Sequence, residues 1–524
     1  MGKDKRSKKV HWADSIAKRV IAEKGDKPKY TIAAGITPSG TVHIGNFREI
    51  ITVDLVYRAL KEIGKEVRFI YSWDDYDVFR KVPKNMPNQK LLDTFLKKPI
   101  VDTPDTFDCK HESYAKHNEL RVEKALPIVG ISPEFLYQNK KYRACEYAEE
   151  MKTAMQKKEV IAKVLNEFRK EPLASDWYPV SIFCEKCGKD TTKIKDYDGN
   201  YEITYECECG FKDKFDLRKK GISKLVWRVD WPMRWHYEDV DFEPAGKDHS
   251  TVGGSRDTAV MVLDHVWKKE APIYQGYDFI GIKGGAGKIS SSTGEVVDLW
   301  DVLEIYEPQM VRWFFASTRP MTEFSISFDL DVIKNYEDFD KCERIYYKEQ
   351  EVKEDKYEKQ KRIYELSSIE EIKPKMPIQV SFRHLTGILQ FFDMDTEKTL
   401  EYFKTKDEND KQRLLLRIKC AQKWIEKYAP EDFKFQLNTK LPDIKFSKEI
   451  KQAFKLILGE LEKNPSDNDL HNKFYEICKK LEIETKDFFT ASYKFLINKN
   501  KGPKLANFIN TIGKEKFKKL VDQL

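Results

Sequence analysis

No stretch of the chain narrows the possible folds more than Tyr30 to Asp75. "YTIAAG" (Tyr30 to Gly35) reads as a short buried strand. It runs into "TPSGTVHIGN" (Thr37 to Asn46), a bend holding two glycines, a Pro and a His. After it, "FREIITVDLVYRALKEIG" sets Ile50, Ile51, Val53, Leu55, Val56, Leu60 and Ile63 along a broad helical stripe, closed by Gly64. "EVRFIYSWDD" follows as another apolar run ending in acids. A strand, helix, strand unit of this kind pairs its strands in parallel through a right-handed crossover. The expectation is the start of a doubly wound sheet, whose ligands gather at the carboxyl ends of its strands.

At 524 residues the chain is too long for one hydrophobic core, and 40% hydrophobic with 13% aromatic residues supplies material for several. A net charge of +7 permits a polyanionic partner without requiring one. No run approaches the 18 apolar residues of a membrane span. The basic start "MGKDKRSKKV" leads into no apolar segment, and Arg6 stands where a myristoylation signal has Ser or Thr, so a cytoplasmic location is expected. Nine cysteines suit reduced thiols or metal ligands better than a disulfide framework. Four of them, in "CEKCG" and "CECG", form two close pairs, Cys184 with Cys187 and Cys207 with Cys209, each followed by Gly. Two such knuckles point to a closed Cys₄ site for structural Zn²⁺, which staples a module too small to build its own core; redox chemistry or unliganded thiols are the other readings. Cys109, His111 and His117 in "CKHESYAKH" are compatible with a second metal, although a polar helix with incidental histidines accounts for them more simply.

The cysteine segment is turn-rich and short-stranded, as an insertion would be, and the sheet pattern resumes at "KLVWRVDWPMRW". "TAVMVLDHVW" then reads as a helix and "YDFIGI" as a strand leading into a loop around Lys288. The stretch 349–376 is charged and poor in large apolar residues, as an exposed helix or connector would be. Beyond it, Ile450, Phe454, Ile457 and Leu461 recur at helical spacing, and "KDFFTASYKFLI" and "EKFKKLVDQL" continue in that style. The expected fold class is an α/β doubly wound (Rossmann-type) nucleotide-binding catalytic domain with a small zinc-binding insertion, followed by an all-α C-terminal domain. Its expected boundaries are 1–348 for the catalytic domain, with an insertion at about 100–225 and a zinc module at about 176–216, 349–376 for the connector, and 377–524 for the helical domain.

Two loops could carry chemistry. In the first bend a strand ends, glycines let backbone approach a ligand, and a helix begins near His43 with exposed N–H groups, which is the logic of a phosphate site. A glycine turn whose His merely caps the helix is the plainer alternative. The second loop, "GGAGKISSSTGE", fails the Walker pattern because Ile282 and Ile289 stand where Gly and Ser or Thr are required. What remains is Lys288 among glycines with the hydroxyls of Ser290, Ser291 and Ser292, suited to neutralising a triphosphate or else an exposed polar loop.

Taken together, "HIGN" (His43 to Asn46) and "KISSS" (Lys288 to Ser292) resemble, in order and context, the "HIGH" and "KMSKS" signatures of class I aminoacyl-tRNA synthetases. Asn46 replaces the second His of one signature and Ser291 the second Lys of the other. With "YSWDDYDVFRKVP", "WRVDWPMRW" and "FEPAGKDHSTVGGS", the chain is similar over most of its length to the class I lysyl-tRNA synthetase family. That resemblance implies ATP-dependent attachment of L-lysine to tRNA(Lys) through a lysyl-adenylate, with release of AMP and pyrophosphate, Mg²⁺ on the phosphates, and a helical anticodon-binding domain. It assigns catalysis to His43, Asn46, Lys288, Ser290, Ser291 and Ser292. ATP contacts fall to Gly40, His43, Gly45, Asn46, Asp248, Lys288 and Ser291, and lysine contacts to Gly35, Thr37, Asp74, Asp75, Trp227, His249 and Tyr277.

The chemistry agrees. A substrate carboxylate attacks the α-phosphate in line, so the protein needs positioning and charge stabilisation rather than a nucleophile of its own. Desolvating an ammonium demands anionic or acceptor groups, and "WDDYD" offers Asp74, Asp75 and Asp77 at a strand end, unless these acids merely pair with Arg80 or Lys81. A glutamate-specific relative would instead turn Arg or Lys into the pocket, and a zinc-ribbon nucleic-acid-binding protein would keep the shell without turnover. A monomer is the expected state.

Overall fold

The computed structural model describes residues 10–249, 251, 253–283 and 296–524. An N-terminal helix α1 (Trp12–Lys24) precedes strand β1 (Lys29–Ile36), helix α2 (Ile44–Glu62) and strand β2 (Glu66–Trp73). β1 and β2 pair in parallel, with Gly35 opposite Ser72 and Ile36 opposite Trp73. Strand β3 (Glu134–Tyr137) extends the sheet on one side, and strands Val240–Gly246 and Ile273–Tyr277 extend it on the other, all five parallel. The carboxyl ends of β1, β2 and the last two strands therefore lie along one edge.

α2 explains how firmly that edge is held. Besides its apolar stripe it buries Arg48, whose guanidinium donates to the carbonyls of Asp278 (2.7 Å), Phe279 (3.0 Å), Arg319 (3.0 Å) and Thr322 (2.7 Å). Arginine supplies enough donors in a fixed fork to satisfy four carbonyls of irregular backbone at once, which no apolar residue could do. Burial lowers its pKa to about 10.

Within the insertion, strands Thr192–Tyr197, Glu202–Cys207 and Lys212–Asp216 form an antiparallel sheet that carries the cysteines. It grows from a two-stranded ribbon, Val180–Ile182 against Ser223–Leu225. "KLVWRVDWPMRW" departs from the expected sheet pattern: only Ser223–Leu225 is a strand, and Trp227–Tyr237 is a helix. The sequence alternates apolar and polar residues there because the helix buries Asp230 and Arg234 along with Val229, Trp231, Met233 and Trp235, which hides its 3.6-residue period.

The chain divides into two compact units: Met1–Leu303 with Pro308–Ile326 and Cys342–Pro374, and Glu304–Glu307 with Ser327–Lys341 and Lys375–Leu524. The stretch 349–376 holds a helix, as one of the two readings expects, but it is partly buried rather than exposed. It contributes helix Glu354–Ser367, with Ile363, Tyr364, Leu366 and Ser367 buried, and the buried Arg312 donates to the Leu366 carbonyl at 3.0 Å. In the second unit, helices from Phe382 to Val521 pack around a core that includes the anticipated Ile450, Phe454, Ile457 and Leu461. Ser447 and Ser466 cap two of these helices, each accepting a backbone N–H. Among the described residues no helix is long and apolar enough to cross a membrane.

Candidate active site

At the carboxyl edge of the sheet a cleft of about 750 Å³ is lined by Gly35, Thr37, Gly40, His43, Asn46, Glu49, Trp227, His249 and Tyr277, among others. His43 is the N-cap of α2, and its position defines its chemistry. Its Nδ1 accepts from the Asn46 backbone N–H at 3.3 Å, while the Asn46 side-chain oxygen accepts from the His43 N–H at 3.2 Å. This reciprocal capping box leaves the ring proton on Nε2 as a donor. Burial lowers the His43 pKa, which favours that neutral tautomer. Asn46 serves both ends of the site: its oxygen closes the box and its Nδ2 donors remain for a ligand. Gly45 is obligatory, since a Cβ there would lie 2.8 Å from His43 Nδ1.

Lys288, Ser290, Ser291 and Ser292 lie outside the described residues. The chain that carries them leaves strand Ile280–Lys283 and is described again from Val296. Immediately afterwards it meets the start of α2: the Ile44 N–H donates to the Val297 carbonyl at 2.8 Å, and Asp298 bridges to His43.

A smaller cavity of about 90 Å³ continues inward from Gly35, Glu49, Trp227 and His249 to Trp231, Trp235 and Glu243. Trp227 stacks on Trp231 with ring centroids 5.2 Å apart, and the His249 ring lies 5.7 Å from Trp227. The acids of "WDDYD" behave differently from expectation. Asp74 lines both cavities, but its carboxylate is taken by Arg234 at 2.6 and 3.3 Å. Asp75 is fully buried away from both, and accepts from the Asn139 backbone N–H at 2.7 Å and from the Asn139 side-chain amide. Neither pairs with Arg80 or Lys81. An acid shared by both cavities and held by no cation among the described residues is Glu49, which the sequence reading missed: Tyr277 Oη donates to it at 2.6 Å and the Gly35 N–H at 3.0 Å, while Glu243, further in, accepts from the Trp231 and Trp235 indoles. Burial pushes the Glu49 carboxyl up to about 8, against the Tyr277 and Gly35 donors and with help from Glu243 and Asp74. The available signal was spacing, for Glu49 lies one helical turn beyond Asn46 and so shares its face. Asp248 is exposed at the end of strand Val240–Gly246 and lines neither cavity, although its neighbour His249 lines both.

The four thiols of Cys184, Cys187, Cys207 and Cys209 converge to within 4.8 Å of one another, with Cys184 to Cys209 and Cys187 to Cys207 each at 3.7 Å. A tetrahedron of sulfurs about 2.3 Å from zinc has edges of about 3.8 Å, so the set fits that ion. Gly188 and Gly210, both at positive φ, let each knuckle turn back on its pair. The other candidate group is also assembled, and it gains a member. Asp105 joins Cys109, His111 and His117 with ligand atoms within 4.8 Å, and His117 stacks on Phe107 at 3.9 Å. Asp105 was not among the residues singled out, since sequence spacing alone does not mark it.

A parallel sheet with a His-capped helix and a polar cleft at its carboxyl edge defines a doubly wound nucleotide-binding catalytic domain. Residues 10–370 match the model of the tRNA synthetases class I (K). The chain is 52% identical to a lysine–tRNA ligase of Borrelia garinii subsp. bavariensis, over 98% of this chain and 99% of that one. It is 47% identical to the enzyme of that name from Treponema pallidum, over 98% of each chain, and 40% identical to that of Pyrococcus horikoshii, over 96% and 97%. The chain belongs to the class I (K) tRNA synthetase family.

Proposed function

We infer that the protein attaches L-lysine to tRNA(Lys) through a lysyl-adenylate in the cytoplasm, consuming ATP and releasing AMP and pyrophosphate. The observation that carries the specificity is Glu49, a buried carboxyl group beneath the His43 bend that has no cationic partner among the described residues, backed by Tyr277 and walled by Trp227. The basic groups of the inner site, Arg234 and Lys224, are already paired with Asp74 and Asp77, which disfavours an acidic amino acid there, while Arg80, Lys81 and Lys84 line the wider cleft.

In this reading Glu49 takes a lysine ammonium, and Trp227 and His249 cover the methylenes. The lysine carboxylate attacks the α-phosphate in line. His43 Nε2–H and the Asn46 amide donate to phosphoryl oxygens, and Lys288 with Ser290, Ser291 and Ser292 neutralises the charge that moves toward pyrophosphate. Mg²⁺ arrives with ATP and screens its phosphates. Gly40 and Gly45 keep the bend close to the nucleotide, and Asp248 accepts from its ribose. A ribose hydroxyl at the tRNA end then attacks the adenylate while the helical unit holds the anticodon. Cys184, Cys187, Cys207 and Cys209 hold structural zinc, and Asp105, Cys109, His111 and His117 hold a second ion of the same borderline class.

ATP–pyrophosphate exchange across the amino acids, with and without total tRNA, tests the assignment. Lysine alone should support exchange, and His43→Ala or Lys288→Ala should each lower it about 10²- to 10³-fold. Exchange with glutamate instead would overturn the specificity.

A further inference from the structure

Thr37 lines the cleft, and its single hydroxyl proton is already committed: Oγ1 donates to Asp77 Oδ2 at 3.0 Å. The other oxygen of Asp77 accepts from the ammonium of Lys224. Lys224 is 3% exposed and also lies 3.9 Å from Asp230, which in turn faces Arg234 at 3.4 Å and accepts from the Tyr142 hydroxyl. Burial alone would lower the Lys224 pKa, but Asp77 and Asp230 outweigh it and raise it.

We propose that Asp77 and Lys224 are a positioning pair that fixes the Thr37 hydroxyl so that it offers lone pairs, and not a proton, to the amino-acid substrate. A hydroxyl has one proton and two acceptor sites, and a carboxylate can only accept. With its proton held by Asp77, Thr37 becomes an obligate acceptor toward the cleft, suited to a substrate ammonium, of which lysine has two. Stability alone does not account for the pair, because a buried ion pair generally stabilises no better than well-packed apolar residues of the same volume. An apolar pair could not take the Thr37 proton. The rest of the bend is secured separately: Tyr114 Oη donates to the Ser39 carbonyl at 3.0 Å and Asn118 to that of Pro38 at 3.5 Å, which leaves the hydroxyl orientation to Asp77. Lys224 belongs to strand Ser223–Leu225 of the ribbon from which the cysteine module grows, so that module also bears on the amino-acid site.

The inference rests on the amino-acid-activating reading, and a double-mutant cycle on the full-length, metal-replete protein tests it. Exchange is measured first with wild type, and the amino acid that supports it is used throughout; a substrate other than lysine overturns the specificity reading while leaving this test in force. Asp77→Asn should raise KM for the amino acid on the order of tenfold, with kcat and KM for ATP little changed, as expected for loss of one charge-assisted hydrogen bond. Thr37→Val should raise the same KM, and Thr37→Ser, which restores the hydroxyl, should recover most of that loss. In the Thr37→Val background, Asp77→Asn should add nothing. Multiplying effects in the double variant, or equal rises in KM for ATP, would overturn the proposal. If the asparagine variant does not fold, the same cycle with Lys224→Met decides the matter on the same criteria.

Discussion

If Glu49 takes the lysine ammonium as proposed, it couples amino-acid binding to protons. With its carboxyl pushed up to about 8, the free protein holds a proton there at neutral pH, whereas an ammonium against it favours the carboxylate. Lysine binding should therefore release a proton, and calorimetry at pH 7 in buffers of different ionisation enthalpy would count it. Correspondingly, kcat/KM for lysine should climb with pH and level off above about 8. Glu49→Gln should flatten that climb and raise KM for lysine by about 10- to 100-fold; a slope that persists in the variant assigns the titration to another group. For folding the sign is opposite. The carboxyl loses its proton near 4.5 when unfolded and near 8 when folded, so its contribution is complete below the first value and is lost as pH rises through the second. The protein without lysine should accordingly melt lower at pH 8.5 than at pH 6 by this group's share, and Glu49→Gln should narrow the gap.

The inserted module turns two short hairpins into a fixed support. Its strands bury Ile203, Tyr205 and Phe215 in a core shared with helices of the same unit, the proposed metal would tie the two cysteine knuckles together, and the ribbon at its root carries Lys224 into the cleft. Removing the ion should thus be felt at a distance: chelation, or Cys184→Ser, should raise KM for lysine more than KM for ATP and make the 184–216 segment protease-sensitive. Metal analysis should find about two ions per chain, falling to one in Cys109→Ser; one ion in the unsubstituted protein would sink the assignment to Asp105, Cys109, His111 and His117. Much of this part was legible beforehand, because strand, bend, helix and the cysteine knuckles are local patterns written in consecutive residues. What stayed hidden is non-local. Asp74 and Asp77 find Arg234 and Lys224 some 150 residues away, where no spacing rule operates. Glu49 was camouflaged on a helix read only for its apolar stripe, and the buried charges of Trp227–Tyr237 disguised a helix as a strand.

The chain enters its second unit three times, at 304–307, 327–341 and 375–524, so the boundary expected near 376 is not a place where the molecule can be cut cleanly. Arg417 shows why. It is 2% exposed and donates to Glu307 at 2.5 Å and to Asp340 at 2.8 and 3.0 Å, two acids contributed by the earlier passages. Both carboxylates are themselves buried, and their positions follow the start of helix Pro308–Ser317 and the middle of helix Asp331–Tyr346. A fragment ending at Pro374 keeps both acids and loses the guanidinium that neutralises them, along with the Trp424 indole that donates to the Phe328 carbonyl at 2.9 Å. In an otherwise intact fold, breaking a buried pair by removing one partner costs about 3–5 kcal/mol, since the remaining charge stays desolvated. The 1–374 fragment, in which Phe328 and Tyr336 lose the Tyr428 and Phe382 rings that pack on them, should be insoluble or strongly destabilised although it retains every proposed catalytic residue. In the full chain, Arg417→Met should reduce stability to chemical denaturation by a similar amount and leave KM for lysine unchanged. Recovery of a soluble 1–374 fragment with wild-type exchange activity would mean that the early passages stand without Arg417, and that the catalytic unit folds independently of the helices encoded after it.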